Sequence, residues 1–172
     1  MIEKITHQPY EAFVRQAILR PAGITAMRIG KGHGPLPGEV SYSSLGSTRA
    51  FDLNIERMDS HGGWIASAED LVRFARMVDG FSSPSLLKSS TIAQMVTPSH
   101  ANKSYAHGWV VNEAGNWWHV GSLPGTTSIM VRTKSRFCWA ALINVGGPQA
   151  KLDGALDDFC WSMVRKVRSW DA

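Results

Sequence analysis

The last third of the chain constrains the fold most. Three runs rich in β-branched and aromatic residues, Asn116–Gly121, Thr126–Thr133 and Phe137–Asn144, follow one another with very short links. Pro124-Gly125 lies in the first link, and Lys134-Ser135 forms a polar turn in the second. Parallel neighbours need a crossover of a dozen or more residues, so runs joined this closely pair antiparallel, as a meander. Tyr105–Val111, with Gly108 inside it, reads as a further strand ahead of the meander.

Helical patterns flank this sheet. Ile2, Ile5, Phe13, Val14, Ala17 and Ile18 recur at helical spacing. Pro9 interrupts the pattern and can open a second helix running to about Leu19, which Arg20-Pro21-Ala22-Gly23 stops. Thr25–Ile29 suits a short strand, and residues 30–48, rich in Gly, Pro and Ser, form a long loop. Ser67-Ala68-Glu69-Asp70 carries an N-cap signal with acids in the first turn of a helix through Leu71, Val72, Phe74, Ala75 and Val78, closed by Gly80. Ser90–Met95 suits a short helix ending before Pro98. A final helix runs from about Lys151 to Val167. Leu152, Leu156, Phe159, Cys160, Met163 and Val167 lie on one expected buried face, with acids early and bases late, as the helix dipole prefers. The layout is α+β: an antiparallel sheet of three or more strands covered by N- and C-terminal helices, in a single domain spanning 1–172.

Composition narrows the function. A hydrophobic content of 44% and a charged content of 19% are those of a globular protein with a real core. The net charge of +4 is spread out, apart from Arg165, Lys166 and Arg168 at the end of the last helix, so nucleic acid is not an expected partner. No run reaches the roughly 18 apolar residues of a membrane span. The first residues lack the basic and apolar regions of a signal peptide, and localisation stays open. Cys138 and Cys160 sit in apolar surroundings and read as two buried thiols. His33, His61, His100 and His107 have no metal-ligand spacing. Gly30-Lys31-Gly32-His33-Gly34 is followed by no Gly-Lys-Ser/Thr. Neither a metal nor a cofactor is expected.

Four segments carry a more specific signal. Ile2-Glu3-Lys4-Ile5-Thr6-His7-Gln8-Pro9-Tyr10-Glu11-Ala12-Phe13-Val14 comes first, then Arg20-Pro21-Ala22-Gly23-Ile24. His61-Gly62-Gly63-Trp64-Ile65-Ala66-Ser67-Ala68-Glu69-Asp70-Leu71 follows, and then His119-Val120-Gly121 within Trp117–Thr126. In this order they resemble the penicillin-recognising serine hydrolases: class C β-lactamases, D-Ala-D-Ala carboxypeptidases and related esterases. The family's corresponding segments are an "IEKITGQPYEEFV" helix, a "PLGM" turn, a "GGLxSTAxDL" segment and a Lys-Thr-Gly or His-x-Gly triplet. The resemblance covers nearly the whole chain. It implies a β-lactamase/transpeptidase-like fold and acyl transfer through a serine nucleophile.

It also implies roles. His119 would face the substrate, hydrogen-bonding its carboxylate or assisting proton transfer. Gly121 would let substrate backbone approach the strand. The Ser122 backbone N–H would be one of two oxyanion-hole donors. Tyr42 would border the cleft. Asn144 reads equally as a substrate contact or a strand-end cap. Read without the resemblance, His119 is a histidine packed beside two Trp.

The family's Ser-x-x-Lys nucleophile and Tyr-x-Asn element precede its "IEKIT" helix, and this sequence begins at that helix. The expectation is therefore the C-terminal half of such an enzyme, inactive alone. Two literal matches are set aside. Ser85-Leu86-Leu87-Lys88 follows Ser82-Ser83-Pro84 in a turn setting instead of opening a buried helix. Tyr42-Ser43-Ser44 comes after the "IEKIT" helix, where the family's tyrosine comes before it. The expected substrate is a β-lactam, D-amino-acid peptide or ester. The expected macromolecular partner is either the missing N-terminal half or a second copy in a homodimer. A non-catalytic binding or self-associating module is the alternative.

Overall fold

The computed structural model describes residues 1–32, 34–42, 51–81, 85–146 and 152–167. His33, Ser43, Ser44, Lys151 and Arg168 lie outside them.

The meander forms as its short links require. Strands β3 (Val110–Val111), β4 (Trp117–Leu123), β5 (Thr126–Arg132) and β6 (Cys138–Ile143) make an antiparallel sheet in the order β3-β4-β5-β6. The β4–β5 hairpin closes through Pro124-Gly125, flanked by the pair Leu123↔Thr126. Proline presets φ for the first turn position, and Gly125 takes the positive φ (84°) of the second. Register then fixes the faces. Trp117, His119, Gly121 and Leu123 share one face with their partners Arg132, Met130, Ser128 and Thr126. Trp118, Val120 and Ser122 share the other with Val131, Ile129 and Thr127.

Each face has its own helix. On the Trp118 face, Ile129, Val131 and Leu156 form a buried cluster flanked by Trp118, Val120, Trp139, Ala141, Ile143 and Cys160, so α6 (Leu152–Lys166) lies there. Trp139 meets Trp161 of α6 edge to face, ring centroids 4.8 Å apart. On the opposite face, Val78 of α4 (Ala68–Val78) packs with Trp109, Val111, Trp117 and Met130. Arg132 pins α4 to this face. It donates to the Asp79 carbonyl at 3.0 Å and lies 3.8 Å from the Phe81 ring centroid, and burial lowers its pKa. The N-terminal helices α1 (Ile2–Thr6) and α2 (Tyr10–Val14) lead into a buried cluster of Val14, Leu19, Ala22, Ile24 and Met27, against which Leu71, Phe74 and Met77 of α4 pack. Their cover over the sheet therefore passes through α4.

Several expected elements differ in detail. The second helix does reach Leu19, but Arg15–Leu19 wind as a π-helix in which the Arg20 N–H reaches the Arg15 carbonyl at 2.9 Å. Only Arg28–Ile29 of the expected 25–29 strand pair, as β1 with β2 (Trp64–Ile65). The expected strand Tyr105–Val111 shrinks to β3, because the Ala106 N–H donates to the Trp109 carbonyl and folds 105–110 back on itself. The short helix α5 spans Ser89–Met95. Another, α3 (Ile55–Met58), was not anticipated; Asn54 caps it by accepting from the Arg57 N–H. The last helix does not bury all six of its apolar positions: Phe159 is 61% exposed, Met163 51% and Val167 41%. The helix stripe is wider than the contact α6 makes with a four-stranded sheet. Cys138 and Cys160 are free and half-buried rather than fully buried.

Candidate active site

The sheet face that carries α4 is covered only in part. Trp117, Met130 and Arg132 lie beneath the helix, and the same face continues through Gly121, Ser128 and Leu123 to Leu142. His119 stands where the covered part ends.

Local geometry commits both of its ring nitrogens. Nδ1 lies 2.7 Å from the Val120 carbonyl oxygen. A carbonyl only accepts, so Nδ1 carries the proton. Nε2 is then an acceptor in the neutral ring, and the Tyr105 hydroxyl, 3.0 Å away, donates to it. The two rings meet edge to face with centroids 6.0 Å apart. β3 stops opposite Trp118, one residue short of His119, and Tyr105 reaches the imidazole from the turn that precedes β3. Sequence reading missed Tyr105. Its signal was position: a tyrosine at the start of the run that pairs with the histidine's strand.

Gly121 does permit a close approach, and the approaching atom is internal. A Cβ at residue 121 would lie 2.6 Å from Ser128 Oγ. Ser128 is a second residue missed from the sequence; the one-to-one pairing of β4 with β5 places it opposite Gly121. Ser122 follows with its side chain on the α6 face, opposite Thr127 and away from His119 and Gly121. The role expected of Ser122 is one for its backbone N–H, not for this side chain.

Tyr42 and Asn144 belong to a different part of the face. Both line a cavity of about 720 Å³ at the hairpin end of the sheet, together with Arg28, Ser67, Leu123 and Leu142. Four residue steps along the strand take His119 to Leu123, about 13 Å at the strand rise. Asn144 Nδ2 donates to the Ser41 carbonyl at 2.7 Å, which ties the end of β6 to the loop. Tyr42 donates to Glu39 Oε1 at 2.8 Å. Burial, then the Glu39 hydrogen bond and charge, push the Tyr42 phenol up to about 12, so it stays protonated at neutral pH. Ser67 joins this wall through the expected cap: its Oγ accepts from the Asp70 N–H at 3.1 Å, and the Ser67 N–H returns to the Asp70 carboxylate.

Ser85 sits in a turn before α5. Its hydroxyl lies 3.0 Å from the Leu87 carbonyl, and Lys88 is the N-cap residue of α5. Among the described residues no three His, Cys, Asp or Glu side chains gather as a metal site, and no helix is long and apolar enough to cross a membrane.

Residues 1–158 match the protein family described as Beta-lactamase. The chain belongs to the β-lactamase family. Solved structures agree in fold. A D-amino acid amidase from Ochrobactrum anthropi SV3 superposes with a TM-score of 0.70 at 21% identity, covering 95% of this chain and 54% of that one. A D-stereospecific amidohydrolase from Streptomyces sp. gives 0.65 at 25% identity, covering 93% and 51%. A penicillin binding protein from Bacillus halodurans gives 0.66 at 15% identity, covering 92% and 52%. This β-lactamase-family chain thus spans about half the length of these neighbours. No curated protein sequence matches it.

Proposed function

We propose that this chain supplies one wall of an acyl-transfer site in a penicillin-recognising serine hydrolase, and that the serine nucleophile and its lysine come from polypeptide outside this sequence. The observation that carries the reading is His119, held in one tautomer beside an uncovered strip of sheet, at the position where the family's His-x-Gly triplet lines its site. Serine would attack an amide or ester carbonyl, two N–H groups would hold the oxyanion, and water would release the acyl-enzyme. The Ser122 N–H is the proposed donor from this chain. Gly121 keeps the strand free of a side chain there, and Tyr42 and Asn144 shape the neighbouring cavity. Substrates in this reading are β-lactams, D-amino-acid amides and peptides, or esters; the names of two neighbours, a D-amino acid amidase and a D-stereospecific amidohydrolase, support the class.

The test is hydrolysis of a chromogenic β-lactam, a D-amino-acid amide and a nitrophenyl ester. The 172-residue chain alone is expected to be inactive. Mixing it with a second chain carrying a relative's Ser-x-x-Lys and Tyr-x-Asn segments is expected to produce turnover, which His119→Ala lowers roughly 100-fold. Hydrolysis by the chain alone, abolished by Ser85→Ala, would overturn the reading.

A second reading, a non-catalytic module that binds a partner or itself, is favoured by one observation: Phe159 and Met163, apolar and on one helix, are 61% and 51% exposed.

A further inference from the structure

We propose that the group this wall presents to a ligand is the Tyr105 hydroxyl, with His119 as the acceptor behind it. The inference rests on the reading of His119 as part of the site, and it changes what that site can bind.

The hydrogen-bond inventory decides it. With Nδ1–H given to Val120 and Nε2 accepting from Tyr105, the neutral imidazole has no N–H to offer a ligand and no free lone pair. Tyr105 has spent its single proton on Nε2, but its oxygen keeps acceptor capacity. The side chain is open to it: Tyr105 is 38% exposed. A carboxylate arriving here finds no donor. An ammonium, an amide N–H or a hydroxyl finds an acceptor. The substrate class favoured at this spot therefore carries a hydrogen-bond donor, in place of the carboxylate expected from the sequence.

The same chain of atoms can move a proton. Hydroxyl to imidazole to fixed acceptor is the order used when a histidine activates a hydroxyl, here with a backbone carbonyl holding Nδ1–H. An incoming O–H or N–H breaks as its proton passes to Tyr105 Oη. The Tyr105 O–H breaks as its own proton passes to Nε2. The result is a deprotonated ligand, a neutral tyrosine and an imidazolium whose Nδ1–H remains on Val120. Run backwards, the relay returns a proton to a leaving group. Because Tyr105 takes up the ligand's proton as it gives its own to His119, no phenolate is left behind.

Nitrogen NMR of the ¹⁵N-histidine chain tests this without any hydrolysis, with His119→Gln assigning the signals among the six histidines. The wild type is expected to show His119 as the Nδ1–H tautomer, with Nε2 shifted as a hydrogen-bonded acceptor. Tyr105→Phe, a half-exposed change that keeps the ring, is expected to move Nε2 toward the free-acceptor position and to leave Nδ1 in place. An Nε2–H tautomer in the wild type, or an Nε2 signal unmoved by Tyr105→Phe, overturns the pairing. Methylammonium and acetate then probe the exposed oxygen. Methylammonium is expected to shift Nε2 in the wild type and not in Tyr105→Phe, and acetate in neither. A response to acetate, or to neither probe, overturns the donor preference. The hydrolase reading can fail in its own assay while this result stands, and the reverse.

Discussion

At the scale of single residues, a missing side chain constrains the residue across the strand from it. Gly121, proposed to keep the strand bare for substrate, faces Ser128 across the hairpin, and an ideal Cβ there would lie 2.6 Å from Ser128 Oγ. Gly121→Ala should force the Ser128 hydroxyl into another rotamer. Because a hydroxyl can rotate away, the cost belongs at the low end of overpacking, about 1 kcal/mol. In a Ser128→Ala background the same change should cost less than about half of that, and denaturant unfolding of the four proteins in the cycle measures the coupling. Additive costs would mean that the two side chains do not compete. Tyr42 makes a second case. Its phenol is raised to about 12 by burial and Glu39, against about 10 in an unfolded chain. Between those values the folded state keeps a proton that the unfolded state has lost, so stability falls as pH rises from 10 to 12 and the contribution is intact below 10. Ultraviolet absorbance of tyrosinate should show one tyrosine of the three ionising last, and Tyr42→Phe should remove that step along with the alkaline loss of stability.

At the scale of elements, legibility followed the strength of the local rule. The β4–β5–β6 meander was readable because short links leave antiparallel pairing as the solution, and the α4 start because Ser67 and Asp70 form a capping box. Removing that box with Ser67→Ala should destabilise the chain by about 1 kcal/mol, seen as a lower denaturation midpoint at unchanged slope. A midpoint that does not move would mean that other groups satisfy the first N–H donors of α4. The run 105–111 reads as a strand only if Gly108 is taken as a strand residue; Gly108 instead takes a positive φ of 84° in the turn that the Ala106-to-Trp109 hydrogen bond closes. The site shows the same division. His119 stands out in the sequence as a candidate through its triplet and strand, whereas its neighbour Tyr105 and Gly121's neighbour Ser128 become visible only in the folded chain, which brings together residues far apart in sequence. Tyr42 and Asn144 do meet around one cavity, but that cavity lies along the strand from His119, a separation that a residue list does not convey.

At the scale of the whole molecule, the question is what covers the outer surface of α6. A helix on a sheet normally hides its apolar stripe, yet α6 turns only Leu156 fully inward and leaves Phe159 and Met163 more than half exposed. The two positions are four residues apart on one helix face, and Val167 extends the stripe at 41% exposure. In the solved neighbours the matched region is about half of a longer polypeptide, so there is chain enough in those proteins to lie over such a surface. In the isolated 172-residue chain that apolar area meets water, and removing it from water is worth about 25 cal/mol per Å². The expected result is self-association: the sedimentation coefficient of the wild type should rise with concentration. Phe159→Lys with Met163→Lys should abolish that rise without changing the far-ultraviolet circular dichroism, because neither side chain belongs to the buried cluster of Ile129, Val131 and Leu156. A wild-type monomer at every concentration would mean that this stripe does not drive association. An association that survives both substitutions would move the contact elsewhere, first to the exposed edge position Leu142 on β6.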